Sequence, residues 1–93
     1  MTEGELLMRC REALGYTTQG LARYLDMSND RRLRRWEHGE QFIPSLLWIT
    51  VYWMLRWHHR TPETEVMIDQ IDDVLRHRRL GNGPRNQRVA AND

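Results

Sequence analysis

The chain has 93 residues, which allows one small domain with a modest hydrophobic core. A single cysteine, Cys10, excludes an intramolecular disulfide and favours a reducing cytoplasm. No secretion signal opens the chain, and its most apolar stretch, residues 46–55, has about half of the ~20 residues needed to span a bilayer. We therefore expect a soluble, cytoplasmic protein with no membrane segment.

The positions of the charged residues say more about function than the net charge does. The net charge is +1, and all 14 basic residues are arginines, four of which fall within residues 31–36. An arginine can bind a phosphate or a guanine through two parallel hydrogen bonds, which a lysine cannot do. A GC-rich genome would also enrich arginine without any functional reason. The positions of the arginines are therefore more informative about function than their number.

The first two helices are predicted from their caps and apolar spacing. Thr2 and Glu5 have the spacing of a capping box, and Gly15 is expected to end the helix that they open. Thr17 is expected to cap a second helix, which ends near residues 26–28. The side chains that these two helices turn inward are Leu6, Leu7, Cys10, Leu14, Leu21, Ala22 and Leu25.

The third helix carries the arginine block. Asn29 or Asp30 is expected to cap it, and Gly39 to end it. At 100° per residue, Leu33 and Trp36 share the inward face, and Arg32 lies to the side. The outward face has no acidic residue, whereas solvated helix faces usually mix charges of both signs. This favours contact with DNA over a merely solvated surface, and the outward side chains are Arg31, Arg34, Arg35 and His38.

The fourth helix, residues 46–59, is apolar on two faces and so needs two covering surfaces. One face, which we expect to join the core of the first three helices, consists of Leu46, Ile49, Trp53 and Trp57. The other face, which we expect the last helix or a second subunit to cover, consists of Leu47, Val51, Met54 and Leu55. Stacking of bases on the tryptophans is disfavoured, because these side chains have core spacing.

The fifth helix is predicted to start at Thr61 and Pro62, with acidic residues in its first turn. Beyond residue 80 the pattern breaks, and residues 81–93 are expected to form a disordered tail. The last helix offers an apolar stripe for a homodimer, with two residues of the fourth helix at its edge. The alternative is that this helix folds back and completes a monomer. The predicted interface residues are Met54, Trp57, Met67, Ile68, Ile71, Val74 and Leu75.

Three segments resemble the Cro and phage-repressor (XRE-like) family of helix-turn-helix proteins. They are residues 11–17 (REALGYT), 21–25 (LARYL) and 33–39 (LRRWEHG), and the likeness covers roughly residues 3–58. Within that family the chain resembles small regulators of phages and mobile elements, including those that accompany anti-CRISPR genes. The resemblance implies an all-α, five-helix, lambda-repressor-like domain. Its helix-turn-helix part would span residues 1–60, followed by a dimerisation or packing helix over residues 61–80.

The same resemblance implies roles for particular residues. Arg11 and Glu37 would form an internal salt bridge, and the third helix would enter the major groove. Thr17 and Thr18 correspond to phosphate-contacting positions, although Thr18 stands where glutamine is common. The turn before the third helix is one residue longer than usual. The positions that read bases correspond to Asp30, Arg31 and Arg35. Asp30 would repel phosphate unless it accepts a hydrogen bond from cytosine N4 or caps the helix, and capping is its favoured role.

No motif for catalysis, metal binding or a cofactor is present. The chain lacks a glycine-rich phosphate loop and a nucleophile–base pair, and the adjacent His58 and His59 diverge by about 100° on a helix. We expect no enzyme activity, cofactor or small-molecule substrate. The residues expected to contact DNA are Thr17, Thr18, Asn29, Asp30, Arg31, Arg32, Arg34, Arg35 and His38.

The sequence therefore predicts a DNA-binding transcriptional regulator. We expect it to repress the operon of a phage or mobile element that encodes it, acting as a homodimer on a palindromic operator in double-stranded DNA. The alternative, from a different functional class, is an antitoxin or protein-interaction adaptor that retains the same fold.

Overall fold

The computed structural model describes residues 1–58 and 60–79, in which all regular secondary structure is helical. The predicted all-α fold with five helices is confirmed. The tail predicted over residues 81–93 lies outside the described residues. In chain order the helices are α1 (Glu3–Ala13), α2 (Thr18–Tyr24), α3 (Arg31–Glu37), α4 (Ser45–His58) and α5 (Pro62–His77).

The helix boundaries follow from the predicted caps. The Thr2 hydroxyl accepts a hydrogen bond from the Glu5 N–H, and the Glu5 carboxylate accepts one from the Thr2 N–H. The Thr17 and Thr61 hydroxyls cap α2 and α5 by accepting hydrogen bonds from the N–H groups of Gly20 and Thr64, and at α5 the Thr64 hydroxyl also accepts one from the Thr61 N–H. Gly15 and Gly39, which follow α1 and α3, have φ angles of 83° and 77°. Only glycine adopts such angles without strain, so these two residues end their helices.

The core is built mainly from α1, α3, α4 and α5. Helix α5 packs on α4 and α1, α1 also packs on α3, and α3 contacts α2. Burial raises the pKa of the Cys10 thiol to about 12, so this side chain is an uncharged part of the core. No helix within residues 1–58 and 60–79 has the length and apolar character required to cross a membrane.

The predicted orientation of α4 is wrong. The face that contains Leu47, Val51, Met54 and Leu55 is buried, and the face that contains Leu46, Ile49, Trp53 and Trp57 is exposed. Trp48, which is fully buried, explains the difference. With Trp48 included, the buried face carries five large apolar side chains over an arc of about 120°, which is the broader of the two faces. The broader face removes more apolar surface from water when it enters the core.

The structure also corrects the predicted dimer interface. Met54, Ile68 and Ile71 are buried in the core of the single chain, so they cannot contact a second folded copy. Met67, Val74 and Leu75 are partly buried against the same core. The arrangement is the alternative one, in which the last helix folds back over α4. Of the seven predicted interface residues, Trp57 alone is largely exposed, at 75%.

Arg78 fixes the end of this last segment. Its guanidinium donates hydrogen bonds to the Glu3 carboxylate at 2.8 Å and to the Ser45 hydroxyl at 2.9 Å. It also lies over the Phe42 ring, 4.2 Å from the ring centroid. These contacts join the end of α5 to the beginnings of α1 and α4.

Candidate nucleic-acid interface

Helix α3 separates its anchoring and exposed side chains as the spacing predicts. Leu33 and Trp36 are buried, at 0% and 7% exposure. The exposed side chains of the helix and its C-cap are Arg31, Arg32, Arg34, Arg35 and His38. We call the four arginines of this set the arginine surface. Within the described residues, the side chains of Arg31, Arg32 and Arg35 make no hydrogen bond or ion pair, so their guanidinium groups are available to a ligand.

Asp30 occupies the N-cap position of α3, but its side chain does not cap the helix, so the capping role favoured for its carboxylate is wrong. No hydrogen bond runs from its side chain to the N-terminal N–H groups of the helix. The Asn29 carboxamide oxygen instead accepts a hydrogen bond from the Arg31 N–H at 3.0 Å. Between the two residues that could cap this helix, Asn29 therefore supplies the side-chain oxygen.

The Asp30 carboxylate is turned inward and joins α2 to α3. The Thr18 hydroxyl donates a hydrogen bond to Oδ2 at 2.6 Å, and Nη2 of Arg34 donates one to Oδ1 at 3.2 Å. Asp30 is only 6% exposed. A hydroxyl has one hydrogen to donate, and Thr18 gives it to Asp30. Phosphate oxygens only accept hydrogen bonds, so this geometry favours a positioning role for Thr18 over a phosphate contact. Thr17, whose hydroxyl accepts from Gly20, keeps its hydrogen for donation.

The inward position of Asp30 predicts a contribution to acid unfolding. The hydrogen bond from Thr18, together with the bond from Arg34 and its positive charge, holds the pKa of Asp30 below its ordinary 3.8. A carboxyl group with a depressed pKa stabilises the fold above its unfolded-state value, and this contribution is lost as the pH falls through the folded-state pKa. We therefore expect the urea midpoint to fall below about pH 4. We expect this fall to be shallower in Asp30→Asn.

A second carboxyl group provides the control for this pH series. The pKa of Glu5 is also lowered, chiefly by the hydrogen bond from the Thr2 backbone. Glu5→Gln should therefore also reduce the fall of the urea midpoint at acid pH. Its effect and that of Asp30→Asn should be additive in the double variant. Thr18→Val should flatten the slope in the natural chain and have no further effect in Asp30→Asn. An acid slope that is unchanged in Asp30→Asn would contradict the assignment.

A buried ion pair supports α3 from behind. Nε of Arg11 donates to Oε2 of Glu37 at 2.7 Å, and Nη2 donates to Oε1 at 3.2 Å. A third bond runs from Nη1 of Arg11 to the Tyr16 carbonyl oxygen at 2.9 Å. The side chains are 13% and 5% exposed. The salt bridge implied by the family resemblance is thus confirmed, and it also fixes the turn between α1 and α2.

Gly4 also belongs to this support, although it was not among the residues predicted to matter. A Cβ atom at Gly4 would lie 2.8 Å from the Trp36 carbonyl oxygen and closer still to that of Glu37. Helix α1 therefore begins in direct contact with the C-terminal backbone of α3. A glycine inside the first turn of a helix, where other residues have better propensity, was the available signal.

The charges around α3 leave its exposed face positive. Its two acidic residues, Asp30 and Glu37, are both buried and paired with arginines. No group of three His, Cys, Asp or Glu side chains that could hold a metal ion is found in residues 1–58 and 60–79. Comparison with protein-family models, with curated proteins and with solved structures finds no match to this chain. The proposal that follows therefore depends on the residues and their geometry, together with the resemblance described above.

Proposed function

We propose that the chain is a sequence-specific regulator of transcription that binds double-stranded DNA. In this proposal α2, the following turn and α3 form a helix-turn-helix, and α3 enters the major groove. The observation that carries the proposal is the arginine surface: four exposed arginines, with the carboxylates of Asp30 and Glu37 turned inward, on a helix held by Leu33 and Trp36.

The arginine surface suits contacts with base edges as well as contacts with the phosphate backbone. Arg31 and Arg35 are four residues apart and face the same way, so both can reach base edges, where arginine pairs with guanine. Arg32, on the flank, suits a phosphate contact. Arg34 is held by Asp30 and is 57% exposed, so it presents a restrained charge to the backbone. His38, exposed at the end of the helix, suits a phosphate contact as well.

Repression is the mode of regulation that this small chain supports best. A bound domain can cover a promoter and block polymerase. The likeness to phage and mobile-element regulators points to autorepression of the operon that encodes it. A helix of seven residues reads only a few base pairs, so we propose a homodimer on two half-sites about 34 Å apart.

Substitutions in the arginine surface test the proposal. We expect Arg31→Ala and Arg35→Ala each to weaken binding to the operator by about 1–3 kcal/mol and to relax preference at one base pair. Arg31→Lys keeps the charge but loses the two parallel hydrogen bonds, so it should lose preference while keeping the salt dependence. Binding is measured by fluorescence anisotropy on a fragment from upstream of the gene and on a scrambled fragment, across a series of salt concentrations.

Arg60→Ala is the matched control, because Arg60 is an exposed arginine outside α3 and pairs with Glu65. It should leave both binding curves nearly unchanged. Equal binding of both fragments by the natural chain would favour the alternative function, an antitoxin or adaptor. Specific binding that survives both Arg31→Ala and Arg35→Ala would show that α3 is not the recognition helix.

A further inference from the structure

Four exposed apolar side chains form a continuous row on α4, which we call the outer stripe. They are Leu46, Ile49, Trp53 and Trp57, at 73%, 42%, 47% and 75% exposure. The indoles of Trp53 and Trp57 contact edge to face, with ring centroids 6.0 Å apart. Thr50 lies beside them and donates its hydroxyl hydrogen to the Leu46 carbonyl oxygen, so it adds a methyl group to the row.

The outer stripe lacks the charged side chains that a solvent-exposed helix face usually carries. Arg56 is the one ionised side chain between residues 45 and 57, and its guanidinium lies over the rings of Tyr52 and Trp53. The exposed face of α5, by contrast, carries acidic residues such as Glu63, Asp69 and Asp73. A helix face that is apolar along its whole length is normally covered.

The outer stripe is complementary to a second copy of itself. Its two aliphatic residues stand at the N-terminal end, and its two tryptophans at the C-terminal end. Two copies of α4 that cross antiparallel about a two-fold axis place Leu46 against the partner's Trp57, and Ile49 against the partner's Trp53. Each large side chain then meets a smaller one, which is the condition for close packing. A parallel arrangement would instead oppose like residues and bring the two Arg56 side chains together.

The area of the outer stripe is that of a small protein–protein interface. With about 250 Å² for a whole tryptophan side chain, Trp53 and Trp57 leave about 300 Å² in water. The whole stripe exposes about 500 Å² per chain, so two copies would cover about 1,000 Å², near the lower end for specific interfaces. Within residues 80–93 the large aliphatic residues are Leu80 and Val89, which are too few to cover two tryptophans.

We propose that the outer stripe of α4 is the surface through which two copies of this chain associate, antiparallel and two-fold symmetric. The contact itself follows from the exposure and size pattern of α4. Its role, which is to bring two α3 helices to two half-sites, rests on the proposed function. The surface replaces the interface predicted on α5 and retains Trp57.

The molar mass of the full chain in solution tests the contact. We expect sedimentation at micromolar concentration to give twice the 11.2 kDa of one chain. Trp57→Glu should give the mass of one chain, because it buries a charge against the partner's Leu46. Trp57 is largely exposed in the single chain, so the variant should keep the circular dichroism of the natural protein. Val66→Glu, at an exposed apolar residue of α5, is the matched control and should remain a dimer.

A mixing experiment tests the antiparallel register. Leu46→Lys alone and Trp57→Glu alone should each be monomeric. Mixed in equal amounts, they should form a heterodimer, because the new lysine faces the new glutamate across the two-fold axis while the opposite end keeps its natural contact. A parallel contact would give no such rescue. Failure of the mixture to dimerise would therefore overturn the antiparallel register.

The outcomes separate this inference from the proposed function. A natural chain that is monomeric at all concentrations, or a dimer that survives Trp57→Glu, would overturn the outer stripe as the contact. A dimer that is lost only when residues 81–93 are deleted would do the same. A dimer that depends on the outer stripe but shows no preference for any DNA would leave the contact standing and refute the proposed function.

Discussion

Replacing Glu37 with alanine is expected to lower the free energy of unfolding by about 3–5 kcal/mol. The change leaves the guanidinium of Arg11, which is 13% exposed, without its counter-charge. Of its three hydrogen bonds, only the one to the Tyr16 carbonyl oxygen would remain. Small domains have a total stability of about 5–15 kcal/mol, so this single change should remove a large part of it.

Urea unfolding followed by tryptophan fluorescence measures this effect. Asp72→Ala is the control at the surface, since it removes one of the two acidic partners of Arg76, the other being Asp73, from a pair that is about half exposed. That loss should be 1 kcal/mol at most, on the order found for surface ion pairs. Replacing Arg11 and Glu37 together with Met and Leu should recover much of the loss, because no buried charge is then left unpaired. Equal losses in Glu37→Ala and Asp72→Ala would show that the Arg11–Glu37 pair is not buried in solution.

Gly4→Ala is expected to cost about 3 kcal/mol or more, although it adds a single methyl group and raises helix propensity. The added Cβ would overlap the backbone carbonyl oxygens of Trp36 and Glu37. Backbone atoms cannot rotate away as a flexible side chain can, so α1 and α3 would have to separate. We expect this movement to disturb the Arg11–Glu37 pair as well, because the pair joins the same two helices.

Gly20→Ala is the control for this substitution. Gly20 is also a helical glycine, but its added Cβ would lie 3.1 Å from the Thr17 side-chain oxygen and otherwise in ordinary contact. Its free energy of unfolding should change by less than about 1 kcal/mol, since helix propensity gains oppose a small shift of the cap. A Gly4→Ala variant as stable as Gly20→Ala would contradict the close approach of α1 to α3.

The sequence predicted those features that depend on neighbouring residues. The caps at Thr2, Thr17 and Thr61 and the helix ends at Gly15 and Gly39 are local, because each involves residues within a few positions. The inward position of Leu33 and Trp36 follows from helical periodicity alone. The Arg11–Glu37 pair spans 26 positions, and only the family resemblance made it visible.

Features that depend on distant packing were not predictable in this way. Periodicity finds two apolar faces on α4 but cannot decide which one α5 covers, and the fully buried Trp48 decides that outcome. Asp30 is of a residue type that often caps helices, and it lies at the right position to do so. The neighbouring residues do not reveal its hydrogen bond with Thr18, twelve positions away. The contact at Gly4 depends on how closely two helices cross, which residue types alone do not specify.

Helix α3 uses different residues to hold the fold and to form the arginine surface, and this separation has an evolutionary consequence. Leu33, Trp36 and Glu37 hold the fold, whereas the exposed side chains of Arg31, Arg32 and Arg35 make no hydrogen bond or ion pair within the described residues. Under the proposed function, mutations at these three arginines can alter operator preference at little cost in stability. If the proposed function holds, lineages that descend from this chain are expected to diverge at those three arginines, each toward its own operator, while the supporting positions remain fixed by the fold.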